Sequence, residues 1–335
     1  MPESLREQIL IFWTTPIYIF IIGLEIILSN LHQRNSYSIR DTFNNFLMML
    51  LNGGLDLAFR AFYVVVLLFF WQHRITEIET TWLYWFTLLI AEDFVFYWLH
   101  RFDHEIRFFW AVHVTHHSSE KLNFSVGFRS SVFQPIYRFL YFIPLAIVGF
   151  KPLDMIFIYS ATQIWGILIH TEYIYKLGWL EHIFVTPSHH RVHHASNALY
   201  LDKNLGMFLI IWDKLFGTFQ PEIPAEKYQP IKYGLTKPLE KDSAPHILFH
   251  EWQAMLKDCM RNDISWKERW GYIFGPPGWS HDGSRKTSEE LREGEMRHFF
   301  QSENPPETGQ FAQIHESSNE FTGSNPQLST LNSQP

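Results

Sequence analysis

Five apolar runs in the first half of this chain constrain its fold more than any other feature. They cover about residues 9–28, 46–71, 82–99, 132–150 and 153–169. A helix crosses the hydrocarbon of a bilayer in about 20 residues, and these runs are of that order. Trp13, Trp71, Trp82, Trp85 and Trp110 crowd their ends, where amphipathic rings settle at a membrane–water boundary. The pattern predicts an all-α, polytopic membrane helical bundle of about four or five spans. A large soluble helical protein with several buried helices is the competing reading. A sixth stretch, 207–212, is too short to span and reads as interfacial or re-entrant. The first run lacks a strongly basic flank and a small-residue cleavage site, so it reads as a retained anchor.

Eleven of the eighteen histidines lie between Leu99 and Ala195, and eight of them form three tight clusters. These are His100 with His104, then His113 with His116 and His117, then His190 with His193 and His194. Residues i, i+3 and i+4 share a helix face, so each cluster can present two or three imidazoles to one point. Neutral imidazole is the commonest metal-ligand side chain and suits zinc, copper, iron and nickel. Eight are too many for one ion and suit two. A lone histidine is more often a satisfied polar residue; three clusters at this spacing point to a polynuclear metal site.

A shared site requires the clusters to lie on one side of the membrane. Let the third run end inside at His100, the fourth leave, and the fifth return at His170. The inner connections then carry Arg34, Arg40, Arg101, Arg107, Lys121 and Arg129, and the outer ones carry little beyond Arg74 and Lys151. This fits the positive-inside rule. It predicts a multi-pass protein whose di-metal site sits in a helical cap on the cytoplasmic side.

Glu92 and Asp93 fall inside the third run, where ionisable residues are costly and often functional. They are candidates either to support metal ligands or to pair with Arg60 or Arg138. Asp103 and Glu105 flank His104, and metal-bound imidazoles usually donate their other N–H to a carboxylate or carbonyl. The formal net charge of −7, with no basic, aromatic-laced patch, gives no sign of a nucleic-acid partner. A single cysteine, Cys259, excludes an intramolecular disulfide and a cysteine-based zinc or iron–sulfur site.

The zinc-protease pattern is absent. Phe108 and Ala254 stand where a second histidine would follow His104-Glu105 and His250-Glu251. A Gly-rich phosphate loop and a Gly-x-Ser-x-Gly elbow are missing as well. The lone Glu295–His298 pair reads as chance. Neutral imidazoles leave metal charge uncompensated, which bound oxide or peroxide would offset, and nearby apolar spans could align a lipid carbon with it. Oxidising an unactivated C–H bond needs a redox metal and dioxygen. Hydrolysis by a zinc pair competes, but no clear general base serves it.

Several strings resemble the fatty acid hydroxylase/sterol desaturase superfamily, and within it the alkylglycerol monooxygenase-like branch with its bacterial-type members. They are Tyr97-Trp98-Leu99-His100-Arg101, His113-Val114-Thr115-His116-His117-Ser118-Ser119-Glu120, His170-Thr171-Glu172, Thr186-Pro187-Ser188-His189-His190-Arg191-Val192-His193-His194 and Trp212-Asp213-Lys214-Leu215-Phe216-Gly217-Thr218-Phe219. The resemblance covers about residues 80–222. It implies a membrane-bound enzyme that uses two Fe ions and dioxygen to hydroxylate a C–H bond of a lipid, whether fatty acyl, sterol or ether lipid. Desaturation by the same centre is the alternative outcome.

The resemblance also implies ligand roles for the eight clustered histidines and for His170 as a ninth. Ile174 stands where some relatives have another histidine. Glu92, Asp93, Asp103, Glu105, Glu172 and His189 are its candidate supports, with His189 also a candidate ligand. The external electron donor implied is a tetrahydropterin or a cytochrome b5- or ferredoxin-type partner.

The expected organisation is N-terminal transmembrane helices at 1–80, a catalytic region at 81–222, a cytosolic C-terminal region at 223–300 and a disordered tail at 301–335. A non-catalytic metal-binding or metal-transporting membrane protein is the reading from another class. Transporters place ligands at the bilayer midplane, whereas these clusters follow the spans.

Overall fold

A computed structural model describes residues 3–303, with side chains from residue 5 to residue 297. Eleven α-helices account for its architecture among the described residues, which form no strand; Phe184–Leu209 and Ala195–Tyr233 are isolated bridges. The long helices are α1 (Glu3–Leu31), α2 (Ile39–Gln72), α3 (Trp82–Glu105), α5 (Pro135–Val148) and α6 (Pro152–Leu168). Shorter ones follow or intervene: α4 (Arg107–His117), α7 (Pro187–His193), α8 (Ile211–Phe216), α9 (Ala244–Cys259), α10 (Trp266–Phe274) and α11 (Ser288–Glu303).

Helices α1 and α2 are each long and apolar enough to cross a membrane. Their outward faces expose Phe12, Trp13, Ile19, Phe20, Leu57 and Val65. A soluble protein would bury such a surface, so the soluble alternative loses its footing and these are the faces of a membrane protein. Between α2 and helices α3, α5 and α6 lies an apolar core that includes Tyr63, Leu67, Tyr84, Leu88, Phe142 and Met155.

The sequence breaks where its chemistry demands. Ser38 and Thr81 cap α2 and α3 by accepting from Asp41 N and Tyr84 N, satisfying otherwise orphan donors. Pro135 and Pro152 open α5 and α6, where proline's missing N–H costs nothing. Gly149 ends α5 at φ +131°, and a Cβ there would meet the Thr76 carbonyl at 2.6 Å.

The ionisable residues inside the apolar runs have found partners. Glu25 accepts from Tyr37 O–H at 2.5 Å, from Phe124 N at 2.8 Å and from the Thr171 hydroxyl. Arg60 and Arg138 both pair with Asp56, not with Glu92 or Asp93. The segment 207–212 is tied to α3, because Asp93 accepts from Phe208 N, Leu209 N and Trp212 Nε1 at 2.9–3.0 Å. Of the tail expected to be disordered, residues 301–303 end α11 and 304–335 lie outside the described residues.

Candidate metal centre

Helix α3 ends in a corner made by a single extended residue, Ile106. The corner turns α4 back so that His100 and His104 face His113, His116 and His117. His170 follows the end of α6, and α7 with its cap brings His190, His193 and His194. Nine histidines meet, and they sort into two groups that cut across the sequence clusters. One holds His100, His104, His113, His117 and His193; the other holds His116, His170, His190 and His194. Within each, one ring nitrogen per residue lies within 4.8 Å of all the others. Adjacent residues His116 and His117 serve different groups, because successive helix positions point about 100° apart.

Six of the opposite ring nitrogens are engaged, while Nδ1 of His190 is buried with no protein partner. Nδ1 of His100 donates to the Leu205 carbonyl at 2.7 Å, that of His116 to Arg129 O at 3.0 Å and that of His170 to Gly166 O at 2.6 Å. His193 Nδ1 donates to Lys203 O at 3.1 Å, and His113 Nδ1 meets the Ser131 hydroxyl at 2.9 Å. His104 Nδ1 donates to Asp202 at 3.1 Å. For His100, His104, His116, His170 and His193, whose partners can only accept, these contacts fix the tautomer and leave the Nε2 lone pair facing inward.

The inward nitrogens crowd. His100 and His113 Nε2 are 3.1 Å apart, His113 and His117 3.2 Å, His170 and His194 3.1 Å, and His170 and His190 2.9 Å. Nε2 of His104 and of His193 is buried with no protein partner. Burial holds His113, His117, His170, His190, His193 and His194 well below the usual imidazole value, with neighbouring histidines adding to the effect for each. His116 is brought down to about 4, mainly by burial. Buried imidazole nitrogens converging at this spacing suit a cation's donor set. Nitrogens held about 2.1 Å from one ion at right angles would lie about 3.0 Å apart, close to the spacings here. Five donors in one group also exceed the four of tetrahedral zinc.

The remaining candidates take other positions. Asp103 accepts from Gln134 Nε2 at 2.8 Å and Tyr137 O–H at 2.6 Å, and stays 3.8 Å from His113 Nδ1. Glu105 pairs with Arg101 instead of His104. Glu172 accepts from Tyr233 O–H. His189 completes the cap of α7 with Thr186 and joins neither group. Glu92 accepts from Thr162 at 3.3 Å and keeps its other oxygen buried and unpartnered. Glu295 accepts from Gln229.

Sequence reasoning missed Asp202, which lies 98 residues from the histidine it orients. Burial raises its carboxyl, but the bond to His104 and the contacts of Ser288 and Arg292 outweigh this and hold it below its usual value. Asp213 was missed too. It accepts from Leu205 N and Gly206 N at 2.6 and 2.8 Å and so sets the loop whose Leu205 carbonyl holds His100.

The nine histidines form a wall between two cavities. One, of about 400 Å³, reaches His100, His113, His116, His170 and His190 and is flanked by Phe96, Phe128, Phe142, Met155 and Ile167. The other, about 420 Å³, reaches His104, His117, His193 and His194 and is lined by Trp110, Lys237, Glu240 and His250.

Residues 85–218 match the fatty acid hydroxylase family. The alkylglycerol monooxygenase of Xenopus tropicalis is 36% identical over 236 residues, covering 67% of this chain and 49% of that protein. That of Homo sapiens is 33% identical over 285 residues, covering 83% and 62%. An ornithine lipid hydroxylase of Rhizobium tropici is 33% identical over 132 residues, covering 39% and 40%. The chain thus spans about half to three-fifths of the length of these alkylglycerol monooxygenases. No solved structure matches it. The matched residues enclose all nine converging histidines, and the chain belongs to the fatty acid hydroxylase family.

Proposed function

We propose that this chain is a membrane-bound lipid oxygenase that holds two iron ions and uses dioxygen to hydroxylate a C–H bond of a lipid. The observation that carries the reading is the wall of nine converging imidazoles at the end of an apolar cavity. Five histidines would hold one ion and four the other. Bound iron would supply the activation of dioxygen that an unreactive C–H bond requires. The chain's own residues do the rest. Carbonyls of Leu205, Lys203, Gly166 and Arg129, with Asp202, keep Nε2 of His100, His193, His170, His116 and His104 unprotonated and aimed. Phe96, Phe142 and Met155 exclude water and align the lipid chain.

Helices α3, α5 and α6 join α1 and α2 as further spans in this reading. The charge balance of the connections supports a metal site on the cytoplasmic side. A reductant, whether a reduced pterin or a cytochrome b5- or ferredoxin-type protein, would approach from the second, more polar cavity. Relatives at 33–36% identity, named as monooxygenases and a hydroxylase, favour hydroxylation, and a sterol desaturase at 28% keeps desaturation by the same centre as the second reading. A metal store or transporter has no use for an apolar cavity against its ligands.

Comparative lipid mass spectrometry of cells with and without the protein tests this. The expected result is a lipid class that gains one oxygen, or an ether lipid that disappears, in a manner abolished by His116→Ala. Identical lipid profiles, or full conversion in that variant, would overturn it.

A further inference from the structure

The cavity that ends on the metal histidines has a second, polar end. Glu7 of α1, Asp56 and Arg60 of α2 and Arg138 of α5 line it. They close on one another: Arg60 donates to Glu7 at 2.8 Å and to Asp56 at 2.7 Å, and Arg138 donates to Asp56 at 2.6 Å. Two cations meet two carboxylates, so the cluster offers hydrogen bonds but little net field. Charges inside an apolar bundle are costly and mark a polar cavity or pathway.

One face of α6 connects this cluster to the metal centre. Tyr159, Gln163, Ile167 and His170 follow at helical spacing, and all four line the cavity. Tyr159 accepts from Arg138 at 2.7 Å at the charged end, and His170 stands at the other. Gln163 lies between them. Its amide nitrogen is buried and has no protein acceptor. Amide oxygen and nitrogen exchange by a half-turn of the last side-chain bond, so the group can present either a donor or an acceptor to a ligand. The flank beside it, with Ile11 of α1 and Gly53 of α2, is exposed to the surface.

We propose that Gln163 anchors the polar head of the substrate. Its amide hydrogen-bonds an oxygen of an uncharged lipid bearing hydroxyl or ether groups, and the neutral Glu7–Asp56–Arg60–Arg138 cluster surrounds that head without favouring an anionic phosphate. The part of the lipid next to the head runs past Ile167 toward His170, along the stretch that Phe96, Phe142 and Met155 line. Seven residues separate Gln163 from His170, about 10 Å of helix rise, so oxidation falls near the polar end of the lipid. The assignment rests on the lipid-oxygenase reading and adds the group that selects the substrate.

Steady-state kinetics of purified, iron-loaded full-length protein in detergent test it. The probes are a 1-O-alkylglycerol, its 3-phosphate, and a dialkyl ether of equal chain length without hydroxyls. Wild-type protein is expected to favour the neutral alkylglycerol over the phosphate. Gln163→Leu is expected to raise KM for the alkylglycerol about 2- to 10-fold with kcat little changed, the scale of one lost neutral hydrogen bond. Its iron content should stay at the wild-type level, and Gln163→Asn should recover part of the loss. Unchanged KM in Gln163→Leu, or preference for the phosphate, overturns the anchor while leaving the oxygenase reading intact. No turnover of any probe by iron-loaded wild type overturns both.

Discussion

Removing the carboxylate of Asp202 should weaken one of the two metal groups and spare the other. Asp202 is the one carboxylate bonded to a metal-facing imidazole among the described residues, through His104 Nδ1 at 3.1 Å. His104 belongs to the five-histidine group only. In Asp202→Leu the His104 N–H loses its acceptor while buried, a cost of about 1–3 kcal/mol. That corresponds to about a 5- to 150-fold loss of affinity, overlapping the 10- to 100-fold typical when a metal ligand's supporting group is removed. Asp202→Asn keeps a neutral acceptor and should lose less. The assay is iron per chain after dialysis against graded chelator. Wild type should release both equivalents at high chelator, whereas Asp202→Leu should lose one equivalent early. Asp202 lines the second cavity and not the first, so substrate binding should persist. Simultaneous loss of both equivalents with helical content intact, or no early loss, would refute the division into two independently supported groups.

Other substitutions probe the framework. A Cβ at Gly127 would stand 3.0 Å from the Ile167 Cα and 3.2 Å from His170 Nδ1. Gly127→Ala should therefore displace His170 and, at an overpacking cost of about 1–3 kcal/mol, reduce iron in the four-histidine group. Asp93→Ala strands the donors of Phe208, Leu209 and Trp212 and should lower stability by on the order of 3 kcal/mol, read by thermal unfolding in detergent. Arg129→Met removes bonds to Asp41, Asn45 and Ser118 and should destabilise the junction of α2 with the α4–α5 connection, read by protease sensitivity there. Chelation should lower the unfolding midpoint of metal-loaded protein, since the nine histidines converge only in the folded chain. Zinc should restore the midpoint without restoring turnover.

The histidines and the apolar runs were legible because their signals are local. Spacings of three and four residues report a shared helix face, and a 20-residue apolar run reports its own solvent. The division of the histidines into two groups was not legible, because a cluster such as His113–His117 divides between them. Most supports of the ring nitrogens are backbone carbonyls, of Leu205, Lys203, Gly166 and Arg129, and a carbonyl has no residue-type signature. Asp103 and Glu105 were the obvious carboxylates by proximity to His104. The helix instead turns them toward Gln134 and Tyr137, and toward Arg101, while a distant loop supplies Asp202. Partners of the charges inside the apolar runs were similarly hidden. Asp93 serves backbone donors of a loop over a hundred residues away, and Arg138 crosses to Asp56.

The central claim is that nine histidines hold a redox-active metal pair that inserts oxygen into a lipid. Its most direct test is turnover of a lipid under oxygen-18 gas by protein of measured metal content. About two irons per chain and one oxygen-18 atom in the product are expected, with no incorporation from labelled water. Full activity in a zinc-loaded, iron-free preparation, or product oxygen derived from water, would contradict the account.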